Sequence, residues 1–163
     1  MRTVLYPGSF DPVTNGHLDV VRRASRIFDK VLIAVAKNGE KNPLFSFEER
    51  MNLLKLACSD IENVEVVTFT GLLVNALPVF KACAVIRGIR AVSDFEYEFQ
   101  MALMNRELKE HCETLFMMPS PEYSFVSSRL IKEIARCNGD ITPFVPPIVS
   151  EAIREKFRDS KGN

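Results

Sequence analysis

The stretch that decides the fold is Tyr6–His17, YPGSFDPVTNGH, near the start of the chain. It follows the short apolar run RTVL and precedes LDVVRRASRIF, whose apolar residues recur with the period of an amphipathic helix. Pro7 and Pro12 stiffen the backbone, while Gly8 and Gly16 permit a positive φ or the close approach of a ligand. The stretch therefore predicts a tight connection from a β-strand to an α-helix, with a histidine in the first helical turn.

Outward from this connection, short apolar runs alternate with longer helical patterns. The expected strands are Thr3–Tyr6, Val31–Ala36, Val64–Phe69, Ala84–Arg87 and Thr114–Met117. The expected helices are His17–Phe28, Phe47–Cys58, Leu72–Phe80, Asp94–Lys109, Ser128–Cys137 and Ile148–Arg158. This order predicts one α/β domain over residues 1–163, with frayed last residues and a single doubly wound, five-stranded parallel sheet joined by right-handed crossovers.

Local signals refine the helix boundaries. Ser46-x-x-Glu49 and Ser93-x-x-Glu96 have the spacing of capping boxes, which predicts that a helix begins after each serine. Pro78 lies inside the third expected helix and makes it the least secure, because an internal proline removes a hydrogen bond.

Composition excludes several classes of protein. The 163 residues carry 21 basic and 21 acidic side chains, a formal net charge of zero, so we expect no nucleic-acid partner. No apolar stretch approaches the roughly 20 residues that span a bilayer, and the N-terminus lacks a signal-peptide pattern. We expect a cytoplasmic protein with no membrane partner. Four widely spaced cysteines and two histidines indicate neither a disulfide framework nor a zinc cage.

Ligands of a doubly wound sheet bind at the carboxyl ends of its strands, and the first loop there is SFDPVTNGH. His17 falls where free N–H groups and the helix dipole attract an anion. The alternative is a tight turn with a capping histidine.

The loop after the fourth expected strand carries two cations. Arg87 and Arg90 flank Gly88, and guanidinium groups grip phosphates through paired hydrogen bonds. The alternative, which is compatible with the first, is that they pair with carboxylates of the next helix, Asp94, Glu96 and Glu98.

The third loop precedes the helix that begins at Ser128. The hydroxyls of Ser127 and Ser128, with Arg129 and Lys132 close by, would form a second anion site at a helix N-terminus. Ordinary capping by serine is the alternative. Three such loops at one end of a sheet predict a ligand with several phosphates, although the chain has neither a Walker A loop nor G-x-G-x-x-G.

The motifs in these loops have a family resemblance. GSFDPVTNGH resembles the GxFDPxxxGH motif of the nucleotidyltransferase superfamily with the T/HxGH element, and VSSRLIK resembles its ISSxxx(K/R) element. Together with IRGIRAVSDFEYEFQMALMN and PEYSFVSS, they make nearly the whole chain similar to the bacterial phosphopantetheine adenylyltransferases. The resemblance implies a Rossmann-like nucleotidyltransferase fold.

The resemblance also implies an activity. The family reversibly transfers the adenylyl group of ATP to 4′-phosphopantetheine by direct in-line attack, with Mg²⁺ accompanying ATP. The products are dephospho-coenzyme A and pyrophosphate, in the penultimate step of coenzyme A biosynthesis. A homohexamer and feedback inhibition by coenzyme A are implied as well. Interface surface would come from Phe95–Leu108, whose apolar stripe we otherwise expect to be mostly core.

Carried over residue by residue, the resemblance gives His17 the role of stabilising the transition state. The implied ATP-binding residues are Ser9, Phe10, His17, Gly88, Ile89, Arg90, Glu98, Tyr123, Ser124, Phe125, Val126, Ser127, Ser128 and Arg129. The implied phosphopantetheine-binding residues are Ser9, Lys41, Leu73 and Arg87. Three positions depart from many or some relatives, with Ser9 in place of threonine, Tyr123 of tryptophan and Arg129 of serine, and the role of Arg129 stays open.

Two rival functions are compatible with these motifs. A cytidylyltransferase of the same superfamily, acting on an alcohol phosphate, would use CTP rather than ATP. A non-catalytic adenine-nucleotide sensor would bind ATP without turnover.

Overall fold

The structure, a computed structural model, describes residues 1–37, 42–90 and 92–159. Its strands are β1 (Thr3–Gly8), β2 (Lys30–Ala36), β3 (Val64–Phe69), β4 (Ala84–Gly88) and β5 (Thr114–Met117). Its helices are α1 (Asn15–Ser25), α2 (Phe47–Ala57), α3 (Leu73–Phe80), α4 (Val92–Leu108), α5 (Ser128–Arg136) and α6 (Pro147–Asp159). A single 3₁₀ turn, Pro121–Tyr123, precedes α5 in the described part of the chain.

The five strands form one parallel sheet in the order β3-β2-β1-β4-β5. The chain moves outward from β1 to β3 and then returns to the other side of β1 to build β4 and β5. The strand order therefore reverses between β1 and β4, which is where such folds bind ligands. The α/β class and the parallel sheet expected from the sequence are confirmed.

Alternating side chains of the strands feed two apolar layers of unequal size. Along β2, Ile33 and Val35 belong to the larger layer, with residues of α1, α2, α5 and α6. Leu32 and Ala34 point the other way, into a smaller layer with residues of α3. Helices thus cover both faces of the sheet, as a parallel sheet requires.

The three local signals had different outcomes. Ser46 and Glu49 form the expected capping box, with Glu49 accepting from the Ser46 amide at 2.7 Å. The prediction for Ser93 is wrong, because α4 begins at Val92 and Ser93 lies inside its first turn. Despite Pro78, α3 runs to Phe80, and it ends at Lys81 in a left-handed conformation with φ of 51°.

The expectation that most of the apolar stripe of α4 is core is also wrong. Of its side chains from Asp94 to Leu108, Asn105 is the one that is buried. The apolar residues of α4 are spread around its circumference, so one contact with the sheet and α3 cannot cover them. The exposed ones are Phe95, Tyr97, Phe99, Met101, Leu103, Met104 and Leu108.

None of the helices in the described ranges has the length and apolar character needed to cross a membrane. The four cysteines, all within those ranges, are free; Cys58 and Cys112 are buried, and Cys83 and Cys137 are exposed.

Candidate active site

A cavity of about 290 Å³ opens at the carboxyl ends of β1 and β4, where the strand order reverses. It brings together most of the residues that the sequence singled out from three separate loops. Those lining it are Ser9, Phe10, His17, Arg87, Gly88, Arg90, Glu98, Val126, Ser127, Ser128 and Arg129.

The other candidates lie elsewhere. Tyr123, Ser124 and Phe125 form the turn and connection before Val126, and Ile89 pairs through its amide with the end of β5. Leu73 lines a second cavity of about 110 Å³, together with Arg87 and Glu98, so the two cavities share those two residues. Lys41 falls outside the described residues.

The first loop is tightly packed rather than open. Phe10 adopts a φ of 50°, is 3% exposed, and meets the rings of Tyr6 and His17 edge-on at 5.5 and 5.1 Å between centroids. A Cβ at Gly8 would lie 2.9 Å from the Phe10 ring, so this position requires glycine. The aromatic ring of Phe10 therefore supports the loop from within the core.

His17 is both a capping residue and a cavity residue. Its Nδ1 accepts a hydrogen bond from the Thr14 amide at 3.1 Å, and its own amide donates to the Thr14 hydroxyl at 3.3 Å. Because Nδ1 is an acceptor, the proton of the neutral imidazole resides on Nε2. Burial, and then the charges of Arg90 and Arg87, lower the His17 pKa to about 4. His17 thus offers the cavity a neutral N–H donor.

The two arginines satisfy both interpretations of the sequence, since they pair with α4 and still line the cavity. Arg87 donates to both oxygens of Glu98, with Nε at 2.6 Å, and to the Pro7 carbonyl at 2.8 Å. Arg90 donates to Asp94 at 3.2 Å and to the Val126 carbonyl at 2.9 Å. These contacts connect β4, α4, the first loop and the loop before α5 around one space.

The serines at the start of α5 are engaged with the protein. The Ser127 hydroxyl accepts from the Leu130 amide at 3.1 Å, which is ordinary N-capping. The Ser128 hydroxyl donates to the Pro12 carbonyl at 2.7 Å and so attaches α5 to the first loop. Arg129 is highly exposed and bonded to Glu133, at the rim of the cavity.

Two buried polar contacts behind the first loop escaped the sequence analysis. Asp11 is fully buried and accepts from the Leu44 and Phe45 amides and from the Lys132 ammonium, each at 2.8 Å. Arg50, 3% exposed, donates to the Ser9 carbonyl at 2.8 Å. Both contacts join residues that are far apart in the sequence, so no local sequence pattern predicts them.

The cavity is suited to an anion. Glu98 is the one carboxylate among its described lining residues, and Arg87 occupies both of its oxygens. The part of the chain that the structure describes contains no group of three or more histidine, cysteine or acidic side chains placed to hold a metal. Donors and positive charge therefore dominate the lining.

Comparison with known proteins shows the family of the chain. The family model described as cytidylyltransferase-like matches residues 5–134. A phosphopantetheine adenylyltransferase from Caldanaerobacter subterraneus subsp. tengcongensis is 54% identical over 98% of this chain and 100% of its own length. The enzyme of the same name from Hahella chejuensis is also 54% identical, over 96% of this chain and 98% of its own.

A crystal structure from Vibrio parahaemolyticus, assigned as a nicotinate-nucleotide adenylyltransferase, has a similar fold. Its TM-score is 0.67 at 18% identity, over 94% of this chain and 99% of its own. The similarities in sequence cover the chain almost from end to end and include the loops that build the cavity. This chain belongs to the phosphopantetheine adenylyltransferase family of nucleotidyltransferases.

Proposed function

We propose that this protein reversibly transfers the adenylyl group of ATP to 4′-phosphopantetheine, forming dephospho-coenzyme A and pyrophosphate. This is the penultimate step of coenzyme A biosynthesis. The observation that carries the proposal is the cavity at the reversal of the strand order, where the His17 imidazole and the guanidiniums of Arg87 and Arg90 converge. The family membership supplies the identity of the two substrates.

ATP would occupy the larger cavity. Its phosphates would meet the Nε2–H of His17, the Arg90 guanidinium and the amides at the start of α1 and α5. Ser9 and the backbone of Phe10 would complete this surface from the first loop. The adenosine would lie toward Gly88, Ile89 and the Tyr123–Arg129 segment, with Glu98 close to the nucleotide and Arg129 at the rim.

Phosphopantetheine would reach the same space from the second cavity. That cavity has an apolar wall, including Leu73 and Met101, and the amide of Asn105. Such a lining suits the uncharged, amide-containing arm of pantetheine. Arg87 borders both cavities and would hold the acceptor's phosphate together with Ser9. The family resemblance gives Lys41 a role in binding the same substrate.

The proposed reaction needs no catalytic base. The nucleophile is an oxygen of the already ionised acceptor phosphate, which attacks the α-phosphorus of ATP as the bond to the β-phosphate oxygen breaks. The electron pair of that bond leaves with pyrophosphate. A neutral His17 that donates from Nε2 fits this chemistry, because it stabilises charge on the transferred phosphoryl oxygens without having to remove a proton. Positioning of the two substrates by the fixed loops would supply the rest of the rate acceleration.

Mg²⁺ would arrive with ATP rather than occupy a carboxylate site of its own. The one carboxylate lining the described part of the cavity is bonded to Arg87, so phosphate oxygens and water are the ligands left for the ion. Bound to the triphosphate, Mg²⁺ would neutralise charge on the leaving group.

Two further expectations belong to the same proposal. The exposed apolar side chains of α4 support assembly into an oligomer, for which the family resemblance implies a homohexamer. Coenzyme A contains the whole of the proposed product, dephospho-coenzyme A, and would compete for the same two cavities as a feedback inhibitor.

The test is pyrophosphate release by purified protein with ATP and Mg²⁺, with and without 4′-phosphopantetheine, and with CTP replacing ATP. The proposal expects release that requires both ATP and phosphopantetheine. Release with CTP but not ATP would indicate a cytidylyltransferase instead. ATP binding without release under any condition would indicate a sensor.

A further inference from the structure

Tyr6 lies in β1 at the floor of the larger cavity, and none of the three loop motifs includes it. Its side chain is 5% exposed, and its ring centroid lies 5.5 Å from that of Phe10 and 6.5 Å from that of His17. The residue lines the cavity, and an added Cβ on Gly88 would lie 3.4 Å from the Tyr6 hydroxyl oxygen. The hydroxyl is thus directed from β1 toward the end of β4.

This hydroxyl has no hydrogen-bond partner among the described residues. Its oxygen is not one of the fully buried, unpartnered side-chain atoms of the described residues, so it opens onto the cavity instead of being sealed in the core. Where the group faces a cavity, a bound ligand can supply the missing partner. A tyrosine hydroxyl donates and accepts, so the neighbouring charges decide which role it takes.

The neighbouring charges favour an anionic acceptor. Arg87 and Arg90 lie close enough to act on the Tyr6 hydroxyl, and His17 presents its Nε2–H to the same space. Burial raises the pKa of Tyr6 above its usual value, and the two arginines offset this only in part. The hydroxyl therefore stays protonated and can act as a donor throughout the neutral range.

We propose that Tyr6 is a substrate-binding residue whose hydroxyl donates a hydrogen bond to a phosphate oxygen held between His17 and the two arginines. The inference rests on the proposed function for the identity of the ligands, but it needs only that the cavity binds a phosphate ester or anhydride. Since Tyr6 adds no charge, its contribution is to orientation rather than to long-range attraction. Its position beneath His17 places it next to the group being transferred.

The experiment compares Tyr6→Phe with the unmodified protein. Phenylalanine keeps the ring that packs against Phe10 and removes only the hydroxyl. Ser150→Ala is the control, because it likewise removes a hydroxyl without a hydrogen-bond partner, but one that is buried and lines neither of the cavities described above. Each protein is assayed for kcat/KM in pyrophosphate release, for binding of ATP and of 4′-phosphopantetheine by calorimetry, and for its melting temperature without ligand.

For Tyr6→Phe we expect kcat/KM to fall roughly 10- to 100-fold, the usual range for a hydrogen bond to a charged group. The ligand-free melting temperature should be unchanged, since the hydroxyl makes no hydrogen bond to the described residues and faces the cavity. Ser150→Ala should retain full turnover.

Unchanged turnover together with unchanged affinity for both substrates would overturn the proposal for Tyr6. So would a loss of turnover accompanied by a lower melting temperature, which would mean that the hydroxyl is needed for packing. If the unmodified protein itself fails to turn over, the proposed function fails, and calorimetry alone decides the question. Weaker binding of either phosphate ligand by Tyr6→Phe would then still support the inference, and equal binding of both would refute it.

Discussion

At His17, burial and two neighbouring guanidiniums act in the same direction on one imidazole. The folded pKa of about 4 lies below the ordinary value near 6.5. At pH values between these two, the histidine of the unfolded chain is protonated, whereas His17 of the folded chain stays neutral. The His17 contribution to stability is therefore complete above about pH 6.5 and is lost as the pH falls toward 4.

A nuclear magnetic resonance titration checks this directly. The carbon-bound ring protons of His17 should show no titration step between pH 8 and about 5, because the imidazole stays neutral there. The chain has two histidines, so the spectrum of His17→Asn assigns the signals. A midpoint near 6.5 for His17 would contradict the burial and the charge environment described here.

Replacement of His17 separates its two roles. In His17→Ala, turnover should fall roughly 100-fold or more through loss of the Nε2–H donor. The free energy of unfolding should fall by about 1 kcal/mol, because Nδ1 no longer accepts from the Thr14 amide.

Ser46→Ala is the control for the stability effect, since it removes a capping box from α2, away from the cavity. It should lose a similar amount of stability and keep its turnover. Normal turnover in His17→Ala would remove the histidine from the mechanism.

Replacement of Arg87 and replacement of Arg90 should each affect mainly one of the two substrates. Arg87→Ala should raise the KM for phosphopantetheine more than the KM for ATP, because Arg87 borders the second cavity. Arg90→Ala should do the opposite, since Arg90 contacts the Val126 carbonyl beside the proposed nucleotide site. Steady-state kinetics with each substrate varied in turn measures this. Equal effects of Arg87→Ala on both constants would mean that Arg87 has been placed on the wrong substrate.

Between elements, Asp11 links the first loop, the segment before α2, and α5. Burial alone would raise its pKa, but hydrogen bonds from Lys132 and from the Leu44 and Phe45 amides outweigh burial and hold the pKa below its usual range. The stabilisation is therefore present at neutral pH and is lost as acid protonates the carboxylate, below its ordinary pKa.

Asp11→Asn should lower the free energy of unfolding by about 3 kcal/mol, because it removes a buried carboxylate that accepts from the Lys132 ammonium and from the Leu44 and Phe45 amides. Urea unfolding at neutral pH measures the change. Asp60→Asn, which breaks the exposed pair with Arg22, is the control and should cost far less stability than Asp11→Asn. Equal losses of stability in the two variants would mean that the burial of the Asp11–Lys132 pair does not increase its contribution to stability.

The sequence predicted the elements well wherever the signal was local. Both bounds of β3 and β5 match the expected ones, because each is a short apolar run between turn residues. The prediction ended β1 at Tyr6, yet the strand continues to Gly8, and the Pro7 carbonyl accepts from Arg87. Contacts such as Asp11 with Lys132 depend on the folded geometry, so sequence spacing could not indicate them.

The candidate site was predictable to a similar extent and for the same reason. Loops that follow strands β1, β4 and β5 converge in any sheet of this type, so their polar residues could be grouped before the structure was known. Tyr6 was missed because it lies inside a strand, where an aromatic residue is usually core. The signal for it is a polar-tipped side chain in the apolar run RTVLY, immediately before the loop.

Over the whole molecule, the exposed side of α4 is the feature that a single chain leaves unexplained. Sequence periodicity could not tell whether the apolar residues of α4 lie in the core or in an interface, because apolar side chains are suited to both environments. If α4 forms the proposed interface, Met104→Lys should shift the protein from an oligomer toward smaller species, since Met104 is 57% exposed and the lysine would place a charge there. Ile27→Lys, at an isolated site that is 53% exposed, is the control and should leave the assembly intact.

Light scattering after size-exclusion chromatography measures the assembly. A monomeric unmodified protein would refute the interface, and an unchanged oligomer in Met104→Lys would move the interface away from this part of α4.

One helix carries both this exposed surface and Glu98, the carboxylate that fixes the Arg87 guanidinium between the two cavities. Whatever holds α4 in place from outside therefore also sets the position of Arg87, the residue proposed to bind the acceptor phosphate. If neighbouring copies of the chain hold α4 in place, dilution below the assembly's dissociation constant should lower the affinity for phosphopantetheine before the chain unfolds. Specific activity would then depend on enzyme concentration, a property that no inspection of the cavity alone would anticipate.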